Sequence, residues 1–411
     1  MLAKHRIAYP MVALVLVVAM FCGGLALGWE ADRRRLGRFS RGPEDFGLFW
    51  EAWDRLERMF WSPAELHAER MTYGATRGML QALGDPYTSF FEPAEHQLNA
   101  DRLRGEFGGI GVQLGGDRTG VFVASVFPDS PAEAAGLLVG DILVAVGREA
   151  TAGLAVDDVR LLLRGPVGSV VELTLERHGG RPVTVPIQRQ EIEIPSLEWE
   201  LLQPKVGYVQ LRFFSDRTPK EFAQALRSLS TEGASALILD LRGNGGGVVE
   251  AAVGVLGELL GKGIAYREVA KGEAETRYPV PFRTEVLSWP LAVLVDAGTA
   301  SSAEIVAAAV RDNGRGLLYG QTTFGKGSVQ AVFPLEDGSS VHLTVGRWLS
   351  SDGHAIEDLG VVPDIPIGID GDPNEDQVLQ AALSDLQSGL VQQPSPVTIA
   401  LLCNMKAMSV K

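Results

Sequence analysis

Residues 236–247 read Ala-Leu-Ile-Leu-Asp-Leu-Arg-Gly-Asn-Gly-Gly-Gly, and a helical run from Val248 to Leu260 follows. An apolar strand that empties into glycines and then opens a helix is a building unit of a layered α/β fold. The alternation continues on both sides. Val206–Phe213 reads as a strand and Pro219–Leu229 as a helix. Leu291–Val295 is another buried strand, with a helix over Ala303–Arg311 behind it, and Gly316–Tyr319 and Val341–Arg347 add strands. Strands alternating with helices predict a largely parallel sheet. Asp376 to Leu390 fits one more helix, and residues 391–411 carry no readable role.

Upstream, residues 105–190 change character. Short β-prone runs at Gly111–Leu114, Val121–Val126, Ile142–Val146, Val170–Arg177 and Pro182–Gln188 are separated by Gly- and Pro-rich turns. Two short helices, near Pro131–Ala135 and Ala155–Leu163, interrupt them, which describes a compact β-rich module. Before it, Phe46, Phe49, Trp50, Trp53, Leu56, Phe60 and Trp61 recur at helical spacing, and the stripe is expected to be core. A second helix fits Ala64 to Leu83, closed by Gly84-Asp85-Pro86.

The remaining N-terminal stretch is of a different kind. Ile7 to Gly28 contains no charged residue. At 1.5 Å per residue it spans roughly 33 Å, enough for a hydrocarbon core. Lys4 and Arg6 precede it, and the reading is an uncleaved signal anchor, with a cleaved signal peptide as the alternative, followed by a linker over residues 30–45. Arg33, Arg34, Arg35, Arg38 and Arg41 oppose export of the body by the positive-inside rule, so orientation must come from function. The chain has 411 residues, enough for two or three domains, and 46% of them are hydrophobic, which excludes a disordered chain. A net charge of −14 argues against nucleic acid as a partner. Two cysteines, Cys22 and Cys403, exclude a disulfide scaffold, and no Cys/His spacing for a metal occurs.

Three segments of the α/β region bear chemistry. In Leu239–Gly247 the glycines let the backbone approach a ligand, and N–H groups beside a helix start can face negative charge; a phosphate loop or a plain tight turn is the alternative. It is neither a G-x-G-x-x-G fingerprint nor a P-loop. In Asp296–Ile305 a buried strand ends in Gly-Thr-Ala-Ser-Ser and opens a helix, so Ser301 or Ser302 is either an exposed nucleophile or an N-cap boxed by Glu304. In Thr323–Gln330, Lys326 stands between glycines; it is either a solvated turn residue or, if buried, an amine whose lowered pKa lets it act as a base. Of the histidines only His342 and His354 fall in this region, and neither sits in a motif.

At these residues the sequence resembles the carboxy-terminal processing proteases, tail-specific serine peptidases with an embedded PDZ domain. The resemblance spans about residues 46–370 through YGATRGMLQALGDPYTSFF, EFGGIGVQL, SPAEAAGLLVGDILVAV, LILDLRGNGGG, GTASSAEI, TTFGKGSVQ and GHAIEDLGVVPDI, in family order. It implies a mixed α/β protease core of crotonase-like architecture over 191–371, a PDZ domain over 105–190, an N-terminal helical region over 46–104 behind the transmembrane helix of 1–29, and a C-terminal helix and tail over 372–411. The usual serine segment, S-A-S-A-S-E-I, lays its nucleophile on Ser301. Thr299 and Ala303 replace the flanking serines, and Ser302 fills an Ala position as a decoy. Lys326, 25 positions on, falls at the general base, and Gln330 at the residue that orients it. The oxyanion hole would use the N–H of Ser302 and one from Gly246 or Gly247. Gly109, Ile110, Gly111 and Val112 match the PDZ carboxylate loop, and Arg164 sits where the family couples that domain to the protease.

The resemblance implies a serine endopeptidase acting through an acyl-enzyme, with no cofactor or metal. Its partners would be protein or peptide substrates with apolar C-termini and the membrane, with room for a homo-oligomer or an activating partner. The body would lie in a periplasm, a lumen or outside the cell. Two rival readings exist. A PDZ scaffold or pseudo-protease would bind C-termini without cleaving, but Ser301 and Lys326 are both present. A crotonase-like acyl-CoA enzyme shares the architecture but leaves the PDZ module unexplained.

Overall fold

The computed structural model describes residues 46–368 and 375–389, apart from positions 119, 178 and 285. The chain divides into two compact units, residues 1–75 and 76–411. No helix among the described residues is long and apolar enough to cross a membrane. The Ile7–Gly28 run, the Arg-rich linker and residues 391–411 lie outside the described residues.

In the first unit α1 (Gly47–Met59) forms where the aromatic period predicts, but none of its residues is buried. The stripe expected to be core is a run of rings in mutual contact, with centroids 5.2 Å apart for Phe46–Phe49 and Phe49–Trp50 and 6.2 Å for Trp50–Trp53. Spacings of three and four put rings on one helix face; they do not supply a layer to cover it. A separate turn at Pro63–Glu65 delays the next helix, so that α2 (Ala68–Gln81) starts later than the sequence pattern implies and runs across the division.

The second unit begins with β1 (Ser89–Phe91) and α3 (Pro93–Arg104). The segment from Thr76 to Arg104, read with the N-terminal helices, groups here because β1 pairs with a strand far along the chain, Phe90 opposite Val341. The β-rich module follows. β2 (Glu106–Gly109), β3 (Val112–Asp117), β4 (Gly120–Val126), α4 (Pro131–Ala134), β5 (Ile142–Val146), β6 (Glu149–Ala150), α5 (Val156–Leu163), β7 (Val170–Glu176), β8 (Val183–Gln188) and β9 (Gln190–Glu193) succeed one another. An antiparallel sheet runs in the order β3-β4-β5-β7-β8, which leaves β3 at an edge. Val123, Val159 and Leu173 are wholly buried at its centre. β2 and β9 pair with each other, Glu106 opposite Glu193, so the chain enters and leaves the module at one place.

The α/β layer comprises β10 (Leu197–Leu202), β11 (Val206–Leu211), α6 (Thr218–Thr231), β12 (Ala236–Asp240), α7 (Val249–Leu260), β13 (Ile264–Ala270), β14 (Thr276–Pro279), β15 (Leu291–Val295), α8 (Ser302–Asp312), β16 (Leu317–Gly320), β17 (Ser328–Pro334), β18 (Ser340–Leu349), β19 (Ile365–Pro366) and α9 (Gln377–Ser388). Its main sheet has the order β10-β11-β12-β15-β16-β19 and is parallel except for β10. Every residue of β12 and β15 is buried. Side chains alternate across a strand, so Leu237 and Leu239 join Phe222, Val255 and Val306 of α6, α7 and α8, while Ile238 joins Leu294 and Leu386 on the α9 side. A sheet covered on both faces favours apolar residues, which is why residues 236–239 and Leu291–Val295 read as unbroken runs, while buried Asp240 at the end of β12 is bonded by Tyr208 and Arg242. A second sheet, β1-β18-β13-β14 with β17 on β18, packs beside it. Parallel β12 and β15 end at the same edge, and that edge carries the glycine loop and the serine turn.

Candidate active site

Between β15 and α8 the backbone turns at Ser301 with φ 57° and ψ −123°. A non-glycine residue held there stores strain on the order of 1–3 kcal/mol, and it persists only where neighbours over-determine it. Here the Ser301 N–H donates to Glu304 Oε2 at 2.8 Å, the Ala300 N–H to the Asn244 carbonyl at 2.9 Å, and Thr299 Oγ1 to the Leu241 carbonyl at 2.9 Å. The serine turn is thus laced to the glycine loop. Gly246 lies directly against it, where an added Cβ would stand 2.8 Å from Ser301 Cβ.

Glu304, wholly buried on the first turn of α8, reaches further. It accepts Thr323 Oγ1 at 2.5 Å, the Gly325 N–H at 2.7 Å and the Lys326 N–H at 2.9 Å. Burial pushes its carboxyl up, against these donors, which favour the anion. Sequence reading saw only a capping residue; the carboxylate in fact joins the serine turn to the lysine loop. Lys326 Nζ donates to Gln330 Oε1 at 3.1 Å and lies 5.1 Å from the Tyr87 ring centre, while Gln330 Nε2 donates to the Tyr87 carbonyl. Burial holds the Lys326 ammonium below the ordinary lysine range, and Glu357, Asp85 and Glu304 pull the other way. Lys326 is thus half-buried and held by Gln330, and Tyr87, which sequence reasoning did not single out, is part of its surroundings.

In the glycine loop, buried Asn244 donates to the Leu211 carbonyl at 2.8 Å and accepts the Gly246 N–H at 2.9 Å. That engages the Gly246 amide. The Gly247 and Ser302 amides have no hydrogen-bond partner among the described residues. Gly247, at φ 146°, sits so close to Phe214 that a Cβ would fall 2.0 Å from its carbonyl oxygen.

Ser301, Lys326, Gln330, Gly246 and Gly247 all line one cleft of about 340 Å³. Ser302 does not; its side chain is buried and its Oγ unpartnered. Gly109, Ile110, Gly111 and Val112 lie at the mouth of β3 in the β-rich module and do not line the cleft, and Ile110 is buried in that module's core. Arg164 pairs with buried Asp101 of α3 and lies over the Phe107 ring. No group of His, Cys, Asp and Glu among the described residues is placed to hold a metal ion. A strained serine, a half-buried amine and the free Gly247 amide line one cleft, with the Ser302 amide next to Ser301, and suit nucleophilic attack on a carbonyl.

A family model described as peptidase family S41 matches residues 205–367, and one described as a PDZ domain matches residues 122–177. The carboxy-terminal processing protease CtpA of Bacillus subtilis (strain 168) is 32% identical over 363 residues, covering 86% of this chain and 76% of that protein. The chloroplastic carboxyl-terminal-processing peptidase 2 of Arabidopsis thaliana is 32% identical over 352 residues, covering 78% of this chain and 68% of its own. A solved photosystem II D1 C-terminal processing protease is 31% identical, with a TM-score of 0.46, and covers 83% of this chain and 98% of its own.

Proposed function

The chain belongs to the carboxy-terminal processing proteases of peptidase family S41 and is a serine peptidase, and on that premise we propose that Ser301 is its nucleophile and Lys326 its general base. The observation that carries this reading is the strained Ser301 turn, tied through Glu304 to the loop of a half-buried lysine. Neutral Lys326 Nζ takes the Oγ proton as Ser301 attacks the scissile carbonyl, forming the Oγ–C bond. The Ser302 and Gly247 amides stabilise the oxyanion. Of the two glycines, Gly247 is the donor and Gly246 the spacer, because Asn244 already holds the Gly246 N–H. Lys326 returns the proton to the leaving amine as the C–N bond breaks. It then takes a proton from the water that releases the acyl-enzyme. Gln330 Oε1 orients the amine, and the bond to the Tyr87 carbonyl fixes which end of the amide faces the lysine. A Ser/Lys pair of this kind is a known variant of triad logic.

The β-rich module reads substrate C-termini. A peptide adds a strand to the β3 edge, its carboxylate held by the loop of Gly109, Ile110, Gly111 and Val112 and its apolar last side chain in the groove beside α5. The Ile7–Gly28 run tethers the enzyme, with its body outside the cytoplasm. Incubating the enzyme with peptides of defined C-terminus and identifying the products by mass tests the reading. Internal cleavage by the wild-type chain supports it; binding without any cleavage favours the scaffold.

A further inference from the structure

The cleft extends well beyond Ser301. Ser328, Gln330 and Val332 of β17 all line it. At about 3.3 Å per strand residue, the path from Ser328 to Val332 is roughly 13 Å, room for about four extended substrate residues. Its two ends differ in charge. β18 pairs with β13 in its second half, where Glu268 lies opposite Trp348; Glu268 is the one acidic side chain among the described lining residues. The first half of β18 pairs with β1 and carries His342, opposite Val332. On this side the wall is α3, which contributes Asn99 and Arg102, one turn apart on one face.

Two features of this wall bear on a ligand, a buried nitrogen without a partner and an exposed guanidinium free to supply donors. His342 is only 7% exposed, yet its Nε2 has no hydrogen-bond partner. A buried polar atom left unpaired is costly, and an incoming partner removes that cost. Arg102 lies over the Phe213 ring at 5.2 Å and has no carboxylate partner among the described residues, whereas Arg104, Arg164 and Arg217 nearby are all ion-paired. Burial, with the charges of His96 and Lys326, pushes the His342 imidazole down, so it meets a ligand as a neutral ring that can present Nε2–H.

Resting on the reading of Ser301 as nucleophile, we propose that the α3 side of the cleft is a carboxylate subsite, in which Arg102, Asn99 and His342 Nε2 take an acidic group of the substrate. Planar guanidinium and amide donors suit a carboxylate better than a single ammonium would. The acidic group is either an Asp or Glu side chain near the scissile bond or the substrate's own C-terminus.

The test uses the full chain and peptides in which one Glu is scanned against Gln through the residues flanking the cleaved bond, each made as C-terminal acid and amide. The readout is the ratio of kcat/KM values, so a general loss of activity cancels. At one position Glu should exceed Gln at least tenfold, the preference should fall below twofold in Arg102→Gln and shrink in His342→Ala, and Arg102→Glu should favour Lys there. If Arg102→Gln instead erases an acid-over-amide preference, the ligand is the C-terminus. Unchanged ratios in Arg102→Gln would overturn the subsite. If no peptide is cleaved, the reading of Ser301 has failed, and fluorescence polarisation with the same peptides and proteins decides the subsite by the same ratios.

Discussion

The backbone N–H of Lys326 donates to Glu304 Oε2 at 2.9 Å. The same oxygen accepts the Ser301 N–H at 2.8 Å, so one carboxylate fixes the two loops whose side chains are proposed to react. The spacing of the Ser301 and Lys326 backbones is therefore held by a third residue. Glu304→Gln keeps the volume but turns one acceptor into an NH2 facing N–H donors. We expect a loss of about 1–3 kcal/mol of stability, from a buried unsatisfied group, and a fall in kcat larger than any change in KM. Chemical denaturation and steady-state kinetics on the same preparation check both.

The general-base role proposed for Lys326 makes activity depend on pH. Its folded pKa is lowered from the ordinary 10.5, so kcat/KM should rise with pH through an apparent pKa below that value as the neutral amine appears. Lys326→Arg should be inactive, because guanidinium stays protonated. Stability follows the same linkage. Below the folded pKa both states are protonated and the burial cost is present in full. Above 10.5 both are neutral and the cost is gone. Wild type should therefore gain stability across that window relative to Lys326→Met, which has no group to titrate. Denaturant midpoints measured from pH 7 to 11 check this, and an unchanging difference would contradict it.

Gly246→Ala places a methyl 2.8 Å from Ser301 Cβ, at a φ of 97° that only glycine adopts readily. It should lower kcat by a hundredfold or more and destabilise the chain by about 1–3 kcal/mol, the range for strain at a special φ/ψ. Activity and thermal midpoint both staying within error of wild type would mean that the glycine loop is not packed against the nucleophile.

For the β-rich module, substrates ending in Ala or Val should have kcat/KM well above their amidated or Asp-ended counterparts. Amidation removes a charge and an acceptor oxygen, and Asp takes a charge into an apolar groove. Equal rates for all of them would remove the module's role in reading C-termini.

Much of this architecture was legible in the sequence, for reasons visible in particular residues. Leu237–Leu239 and Leu291–Val295 announce themselves because the middle of a doubly covered sheet favours apolar residues on both faces. The glycines beside Ser301 are conspicuous because only glycine fits there. The bracing was not legible. Glu304 reads as an ordinary helix cap because its bonds to Thr323, Gly325 and Lys326 come from about twenty residues away. Tyr87 approaches Gln330 across most of the chain, and no local pattern encodes such a meeting. The choice between Gly246 and Gly247 likewise depends on which amide Asn244 occupies. The aromatic stripe of α1 failed in the opposite way: its period is strong, but burial depends on what lies opposite.

The most direct measurement of the central claim is to trap the enzyme with a serine-directed fluorophosphonate and map the adduct by peptide mass spectrometry in wild type, Ser301→Ala and Ser302→Ala. Ser302 is adjacent in sequence, but its side chain is buried. The account predicts a single adduct on Ser301 in wild type and in Ser302→Ala, with substantial peptide cleavage by both. Ser301→Ala should fold with an unchanged thermal midpoint, carry no adduct and cleave nothing. An adduct on Ser302, or cleavage at the wild-type rate by Ser301→Ala, would contradict the account.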